Sequence, residues 1–221
     1  MKIGLLKCDP RPFEEMYAAW LPDVAWRVYD VHLGELPASP RECDGWVGTG
    51  SRDSVYDDLP WIHGYAECVR KMFRAAAPFV GVCFGHQMIA HALGGRVTKH
   101  PGGWCIGVHQ FTVSQPAPWM KPPLDSFGLV MSCQDQVREL PPGAVLLAGN
   151  EACRVGMFQV GRMLAIQGHP EYTPEYSRSL MELRRDRIGA AHVEAGIATL
   201  ADPRHSTELG AWVRAFLGGV A

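Results

Sequence analysis

The sequence predicts a three-layer α/β fold in which helices cover both faces of a mostly parallel sheet. In the first half of the chain, short apolar runs alternate with segments of helical periodicity, the order expected of such a fold. The 221 residues suffice for one sizeable core, and 47% hydrophobic and 20% charged residues are close to the globular average. Because no repeat, linker or change of composition divides the chain, we expect a single domain over residues 1–221.

The elements of the first half follow from its apolar pattern. Buried strands are predicted where the sequence is locally apolar, at 3–6, 24–31, 45–49 and 79–83. Helices are predicted where apolar residues recur at spacings of three and four, at 13–20, 62–76 and 88–93. Pro78 ends the second of these helices and Gly94-Gly95 ends the third.

The second half has a different texture. Shorter alternating runs predict antiparallel or mixed strands added to the parallel core, at 106–113, 129–132, 145–148, 155–160 and 163–166. Residues 174–221 are helical in pattern, with a break expected at Asp202-Pro203. We therefore expect the chain to finish on helices packed against the sheet.

Charge and cysteine content limit the classes of function. Lys and Arg number 21 against 23 Asp and Glu, and neither sign is clustered, which disfavours a nucleic-acid partner bound by phosphate neutralisation. No apolar stretch is long enough to span a membrane, so no membrane partner is expected. The seven cysteines form no C-x-x-C pair and no metal-ligand spacing. We expect a soluble cytoplasmic protein with free thiols, no metal and no cofactor.

The first chemical motif is Gly81-Val82-Cys83-Phe84-Gly85-His86-Gln87, at the junction of a predicted strand and a predicted helix. Glycines two residues before and after Cys83 give the spacing of a nucleophile elbow, a sharp turn that lifts a nucleophile out of the sheet. The positive end of the following helix dipole favours a thiolate there. The alternative is a core cysteine beside two packing glycines.

The second motif is His169-Pro170-Glu171, after the strand at 163–166. Pro170 pushes His169 into an extended conformation, and in an extended segment residues i and i+2 point the same way. Glu171 can therefore orient the His169 imidazole while the other ring nitrogen faces a nucleophile. Taken alone, such a tripeptide more often belongs to an ordinary loop than to a catalytic site.

Together, G-x-C-x-G-x-Q on a strand–turn–helix and H-P-E after a late strand resemble the class I (triad) glutamine amidotransferase family. The resemblance extends from about Cys43 to Glu171 and implies a flavodoxin-like core. It also implies that Cys83 attacks the γ-carboxamide of glutamine to give a γ-glutamyl thioester. His169 would be the general base and then the acid that protonates ammonia, and Glu171 would orient it.

The same resemblance suggests an oxyanion hole and a substrate site. The oxyanion would be bound by the N–H of Phe84 and by the turn Gly50-Ser51-Arg52, unless that turn is a plain connection. Gln87 matches a position that contacts the amino-acid end of the substrate. Ser132-Cys133-Gln134 resembles the segment that closes over the glutamine head group. Many relatives carry His where Cys133 stands, so this sequence departs from them there and a polar role for that side chain is not expected. We interpret Cys133 as a small buried thiol, with a second nucleophile as the alternative.

Three other features, a histidine, a tryptophan and an arginine-rich run, are not assigned to catalysis. His86 belongs to the elbow motif and is not expected to act in catalysis. Trp104 follows the turn Pro101-Gly102-Gly103, and is either an exposed binding aromatic or a lid over the core. The run Arg184-Arg185-Asp186-Arg187 is interpreted as a solvated helix face.

Several functions are compatible with these motifs. The chain has no phosphate-binding loop, so ammonia released from glutamine would pass to a separate synthetase or other enzyme subunit. Alternatively the chain acts alone, since its motifs look more like the branch that includes γ-glutamyl peptidases, in which water or an amine captures the glutamyl group. A non-catalytic regulatory protein on the same fold is a further alternative. An esterase is disfavoured because the acidic residue follows the histidine.

Overall fold

The computed structural model describes residues 1–219. The strands are β1 (Lys2–Lys7), β2 (Ala25–Asp30), β3 (Gly45–Gly48), β4 (Phe79–Val82), β5 (Arg96–Lys99), β6 (Cys105–Val113), β7 (Ser126–Cys133), β8 (Asp135–Glu139), β9 (Val145–Gly149), β10 (Met157–Val160) and β11 (Met163–Ile166). The α-helices are α1 (Phe13–Trp20), α2 (Pro60–Arg74), α3 (Phe84–Ala92), α4 (Pro174–Leu183), α5 (Arg185–Ile188), α6 (Ala190–Ala198) and α7 (Ser206–Leu217). Short 3₁₀ turns lie at Val31–Leu33 and Thr199–Ala201.

Nine strands form one sheet in the order β2-β1-β3-β4-β11-β10-β9-β6-β7. The five strands from β2 to β11 pair in parallel. The strands from β11 to β7 pair antiparallel. The predicted mixed α/β fold is therefore confirmed, with the antiparallel strands added at one edge of the parallel core.

Alternation along the central strands produces the three layers. Val80 and Val82 of β4 join a core cluster with residues of α1, α4, α6 and α7, whereas Phe79 joins a second cluster with residues of α2 and α3. Successive side chains of a strand point to opposite faces, so one apolar strand supplies both cores. All four residues of β4 and all four of β11 are buried.

A two-stranded sheet of β5 and β8 was missed by the sequence analysis. Its strands are short, and only part of each is buried. Their sequences, RVTK and DQVRE, are mostly polar and lack the apolar runs used to predict strands. β8 begins two residues after β7 ends, so it continues the chain directly from the predicted head-group segment.

The C-terminal region is helical as predicted, in more pieces than expected. Thr173 caps α4 by accepting the Tyr176 N–H on its side chain, and Pro174 occupies the first helical position. Gly189, with φ 98°, separates α5 from α6. The helical prediction extended to Ala221, and residues 220 and 221 lie outside the described residues. None of the helices within residues 1–219 is long and apolar enough to cross a membrane.

Candidate active site

Cys83 lies on a strained turn between β4 and α3. Its backbone has φ 53° and ψ −99°, a conformation that costs a non-glycine residue on the order of 1–3 kcal/mol. The Cys83 N–H donates to the Ile166 carbonyl at 2.9 Å, and the Cys83 carbonyl accepts the Gln87 N–H at 3.0 Å. These bonds to the neighbouring strand and the first turn of α3 hold the strained residue in place.

The two elbow glycines are required by close packing. A Cβ on Gly81 would collide with the backbone of Gly85. A Cβ on Gly85 would lie 2.6 Å from the carbonyl oxygen of Gly48 in β3. The glycines therefore bring the helix against the strands and set the backbone on which the thiol is carried.

His169 and Glu171 form a buried pair beside this turn. The distance between His169 Nδ1 and Glu171 Oε1 is 2.7 Å, and both side chains are almost fully buried. The His169 N–H donates to the Val130 carbonyl at 2.8 Å, which fixes the extended segment to β7. The ring of Tyr172 stacks on the imidazole, with centroids 3.9 Å apart and planes 6° apart. Glu171 and Tyr172 thus hold the imidazole orientation and leave Nε2 as its other ring nitrogen.

Electrostatics favour a charged imidazole here. Burial alone would lower the pKa of His169, but the negative charges and hydrogen bonds of Glu171 and Cys83 outweigh it and raise the pKa to about 9. At neutral pH His169 is therefore an imidazolium that is paired with Glu171 and lies next to Cys83. In this arrangement the imidazolium can serve as a general acid beside the nucleophile, and Glu171 orients it.

The turn after β3 packs against the same pair. A Cβ on Gly50 would lie 3.0 Å from His169 Cε1 and 3.8 Å from Cys83 Cβ. The Thr49 carbonyl accepts the Gly85 N–H at 3.1 Å, which ties this turn to the elbow. Arg52 Nε donates to Asp9 Oδ2 at 3.0 Å. The predicted oxyanion turn therefore lies beside the nucleophile and is fastened at both ends.

Phe84 is the first residue of α3 and is buried. Its N–H is among the first four of the helix, which have no acceptor within the helix. The structure thus places a backbone donor immediately after Cys83.

Asp135 holds the segment that follows the oxyanion turn. Its carboxylate accepts a 2.5 Å hydrogen bond from Ser54 Oγ and a 2.9 Å hydrogen bond from the Tyr56 hydroxyl. Asp57 Oδ2 accepts the Ser54 N–H at 2.8 Å. Sequence analysis gave Asp135 no such role, because the contact joins residues about eighty positions apart.

A cavity of about 280 Å³ opens beside Cys83. Its lining includes most of the predicted binding residues, namely Ser51, Arg52, Gln87, Ser132, Cys133 and Gln134. It also includes residues that were not assigned to a site, namely Asp53, Ser54, Tyr56, Asp57, Lys99, Trp104, Asp135, Arg184 and Arg187. Among residues 1–219, no group of three or more His, Cys, Asp or Glu side chains is arranged to hold a metal ion.

Gln87 contacts the protein as well as the cavity. Its Nε2 donates to the Asp135 carbonyl at 2.8 Å and to Gln167 Oε1 at 3.1 Å. The amide nitrogen is thus used to position β8, and a substrate contact would fall to the rest of the side chain.

The segment Ser132-Cys133-Gln134 forms part of the cavity wall. Ser132 Oγ accepts a 3.1 Å hydrogen bond from Arg184 Nη1. The Gln134 carbonyl accepts the His100 N–H at 2.7 Å, which leaves the Gln134 side chain at the cavity. Cys133 is buried and lies opposite Cys105 in the β6–β7 register.

The neighbouring thiols differ in acidity. A hydrogen bond and charge from Cys105, together with burial, raise the pKa of Cys133. The pKa of Cys105 is lowered by its hydrogen bond with Cys133 and by His109, whose Nε2 lies 3.6 Å from Cys105 Sγ. A protonated Cys133 is a poor nucleophile, in agreement with its interpretation as a structural thiol.

His86 is fully buried and packs edge-on against Phe158, with ring centroids 5.1 Å apart. Burial lowers its pKa to about 3, so the imidazole is uncharged at neutral pH. This environment agrees with a packing role.

The run Arg184–Arg187, interpreted as a solvated helix face, is exposed at Asp186 and Arg187 but half-buried at Arg184 and Arg185. Arg184 and Arg187 line the cavity, and their guanidinium carbons lie 5.5 and 5.7 Å from the centre of the Trp104 ring. Their spacing of three places them on the same side of the helical segment. Trp104 is half-buried, packs against the main hydrophobic core and also lines the cavity. Arg185 alone points away, toward Glu182 and Glu194.

Comparison with known proteins gives a consistent result. Residues 42–183 match the family model described as glutamine amidotransferase class-I. Gamma-glutamyl peptidase 3 of Arabidopsis thaliana is 32% identical over 159 residues, which are 68% of this chain and 64% of the relative. The chain therefore spans less than two thirds of that relative. A glutamine-hydrolysing GMP synthase of Pyrobaculum aerophilum is 32% identical over 138 residues, 62% of this chain and 26% of the relative.

The same agreement extends to the fold. A crystal structure of a glutamine amidotransferase from Thermotoga maritima superposes with a TM-score of 0.80 at 17% identity. The match covers 98% of this chain and 96% of that one.

Proposed function

The chain belongs to the class-I glutamine amidotransferase family, and from that premise we propose that it cleaves γ-glutamyl amide bonds with Cys83 as nucleophile. The observation that carries the proposal is the convergence of a strained Cys83 and a buried His169–Glu171 pair beside one cavity. The donor is glutamine or a γ-glutamyl peptide or conjugate.

In the first half of the proposed reaction, Cys83 Sγ attacks the γ-carbonyl carbon as a thiolate. The negative charge that develops on the carbonyl oxygen is stabilised by the N–H of Phe84 and by the turn Gly50-Ser51-Arg52. The carbon–nitrogen bond then breaks, and His169 gives its proton to the departing nitrogen. Ammonia or an amine leaves, and the glutamyl group remains on Cys83 as a thioester.

In the second half, neutral His169 takes a proton from water or an acceptor amine as it attacks the thioester carbon. The carbon–sulfur bond breaks, which restores the Cys83 thiolate and the His169 imidazolium. Glu171 orients the ring throughout and stabilises its charged form.

The loop contacts support action without a partner. Asp9, Asp57 and Asp135 of this same chain hold the segment from Arg52 to Tyr56. A site ordered in this way does not need a second protein to assemble it. The second candidate is an amidotransferase subunit that delivers ammonia to a synthetase, favoured by the similarity to the GMP synthase.

The proposed site of action is the cytoplasm. All seven cysteines are free and buried, which suits a reducing compartment. We further propose that residues 1–221 act as a single domain with a small-molecule substrate and no cofactor.

The deciding experiment incubates the purified chain with glutamine and with γ-glutamyl dipeptides, and measures released ammonia, amine and glutamate. The Cys83→Ala variant is the matched control. Hydroxylamine added to the reaction should trap the thioester as γ-glutamyl hydroxamate. Two results would contradict the assignment of Cys83 as nucleophile. One is release of ammonia or amine by the wild type without formation of hydroxamate, and the other is equal release by the wild type and Cys83→Ala. A folded, thiol-reactive chain with no turnover would favour the synthetase subunit or a non-catalytic regulatory role.

A further inference from the structure

The two walls of the cavity differ in how their charges are satisfied. On one wall, the carboxylates of Asp57 and Asp135 accept hydrogen bonds from Ser54 and Tyr56. On the other, Arg184 and Arg187 share one aromatic ring, and within residues 1–219 neither has a carboxylate within 4.0 Å. The carboxylates of Asp57 and Asp135 are thus hydrogen-bonded by uncharged groups of the protein, whereas no carboxylate of the described residues pairs with Arg184 or Arg187.

Arg184 is held in position without being neutralised. Its Nη1 donates to Ser132 Oγ at 3.1 Å and its guanidinium lies over Trp104. Burial, and then the positive charge of Arg11, lower the pKa of Arg184. A partly buried guanidinium with only a neutral hydroxyl partner gains strongly from an anion. Arg185, one residue along, has the surface ion pairs that Arg184 lacks.

The positive charge continues beyond the cavity. A neighbouring groove of about 360 Å³ shares Arg52, Arg184 and Arg187 with the nucleophile's cavity and extends to Arg11. Arg11 Nη2 is buried and has no hydrogen-bond partner among the described residues. Asp9 is the one acidic residue that lines this groove, and its two oxygens already pair with Arg11 and Arg52. The charged residues that line this neighbouring groove are therefore mainly cationic.

Resting on the proposed function, we infer that Trp104, Arg184 and Arg187 bind a carboxylate carried by the leaving group. The preferred donor would then be a γ-glutamyl peptide with a free C-terminal carboxylate, since glutamine loses only ammonia. A guanidinium matches a carboxylate with parallel hydrogen bonds, and Trp104 keeps both guanidinium planes in place.

The chemistry of the step follows from that placement. The bond between the γ-carbonyl carbon and the peptide nitrogen breaks as Cys83 forms the thioester. His169 supplies the proton that completes the amine of the leaving amino acid or peptide. The carboxylate of that product stays on the arginines until the product dissociates, and takes no part in the bond changes.

The test compares γ-glutamyl-glycine with its C-terminal amide, which differs only in the proposed anchor. We expect kcat/KM to favour the carboxylate by roughly tenfold or more, the range of a charge-assisted hydrogen bond. Arg184→Gln and Arg187→Gln should each reduce that preference severalfold. Arg185→Gln is the matched control and should retain the wild-type preference, because its partners lie outside the cavity.

Two outcomes would overturn the inference. One is equal use of the dipeptide and its amide by the wild type. The other is a loss in Arg184→Gln and Arg187→Gln that is equally large for glutamine, the dipeptide and the amide, because the arginines would then hold the glutamate's own carboxylate.

Failure of the proposed function is distinguishable from failure of this inference. If no donor is turned over, binding of the dipeptide and its amide to Cys83→Ala is measured by calorimetry. Tighter binding of the carboxylate form, lost in Arg187→Gln, would support the anion subsite without the reaction. Equal affinity, or no binding of either, would overturn it.

Discussion

The cavity has a catalytic end, formed by Cys83, His169 and Glu171, and an arginine wall, formed by Arg184 and Arg187. The two regions differ in whether their charged side chains are paired within the protein. At the catalytic end His169 and Glu171 are buried and paired at 2.7 Å, with Tyr172 stacked on the imidazole. At the arginine wall Arg184 is half-buried and Arg187 is exposed, and neither has an acidic partner among residues 1–219. At the catalytic end the opposite charges of His169 and Glu171 are paired within the protein, whereas Arg184 and Arg187 have no charged partner of their own. Substitutions at the catalytic end should therefore abolish turnover, whereas substitutions elsewhere in the cavity should change kcat/KM by smaller factors.

The largest effect is expected from Cys83→Ala. Activity should fall by about 10³-fold or more, as for other nucleophile knock-outs, while the fold is retained. The glycines Gly81 and Gly85, rather than the thiol, set the elbow. Circular dichroism and thermal unfolding check the fold, and ammonia or amine release checks the activity.

Labelling gives the complementary measurement on the wild type. A glutamine-like electrophile should modify Cys83, which lines the cavity, and leave Cys133 unmodified because its pKa is raised. Cys105 is outside the cavity lining, so its lowered pKa should show only with a small general thiol reagent. A label on Cys133 would reverse the assignment of the nucleophile.

The next largest effects separate the two members of the buried pair. His169→Ala removes the group that moves the proton, whereas Glu171→Gln removes the charge that orients it. We expect a loss of about 10³-fold for the first and on the order of 10²-fold for the second. Steady-state rates of both variants on one donor provide the measurement. Equal losses would mean that Glu171 acts more directly than we propose.

A pH profile tests the same pair with a smaller effect. The acid form of His169 protonates the leaving group, so activity should decline as pH rises through its pKa of about 9. The contribution of His169 to the stability of the fold also decreases as pH rises. A raised native-state pKa stabilises the fold fully below about 6.5, the ordinary value for histidine, and this contribution is lost as pH rises through 9.

Glu171→Gln should move the alkaline limb of that profile to lower pH, because the carboxylate helps to raise the pKa of His169. Rates measured between pH 6 and 10 in both proteins provide the comparison. If the decline at high pH occurs at the same pH in the variant, a group other than His169 is responsible for that decline.

How far the sequence predicts the molecule depends on whether the constraint is local. The elbow and His169-Pro170-Glu171 follow from glycine and proline geometry over a few residues, and the buried strands follow from continuous apolar runs. The β5–β8 pair was missed because most of its residues are polar and only part of each strand is buried. The arginine wall was missed because Trp104 and Arg184 meet only after the helices pack on β7. No spacing rule relates such distant segments.

The smallest effect is expected at Asp135, which fastens the loop opposite the arginine wall. Asp135→Asn keeps the size of the side chain but removes the charge that binds Ser54 and the Tyr56 hydroxyl. Two charge-assisted hydrogen bonds weaken, so residues 51–57 should open more often, and kcat/KM should fall by about 3- to 10-fold. Hydrogen exchange of this segment should rise in parallel. Asp58→Asn is the matched control, since Asp58 pairs with exposed His63 and should leave both readouts unchanged. If Asp135→Asn has the same kcat/KM and the same hydrogen exchange as the wild type, the oxyanion turn is ordered independently of β8.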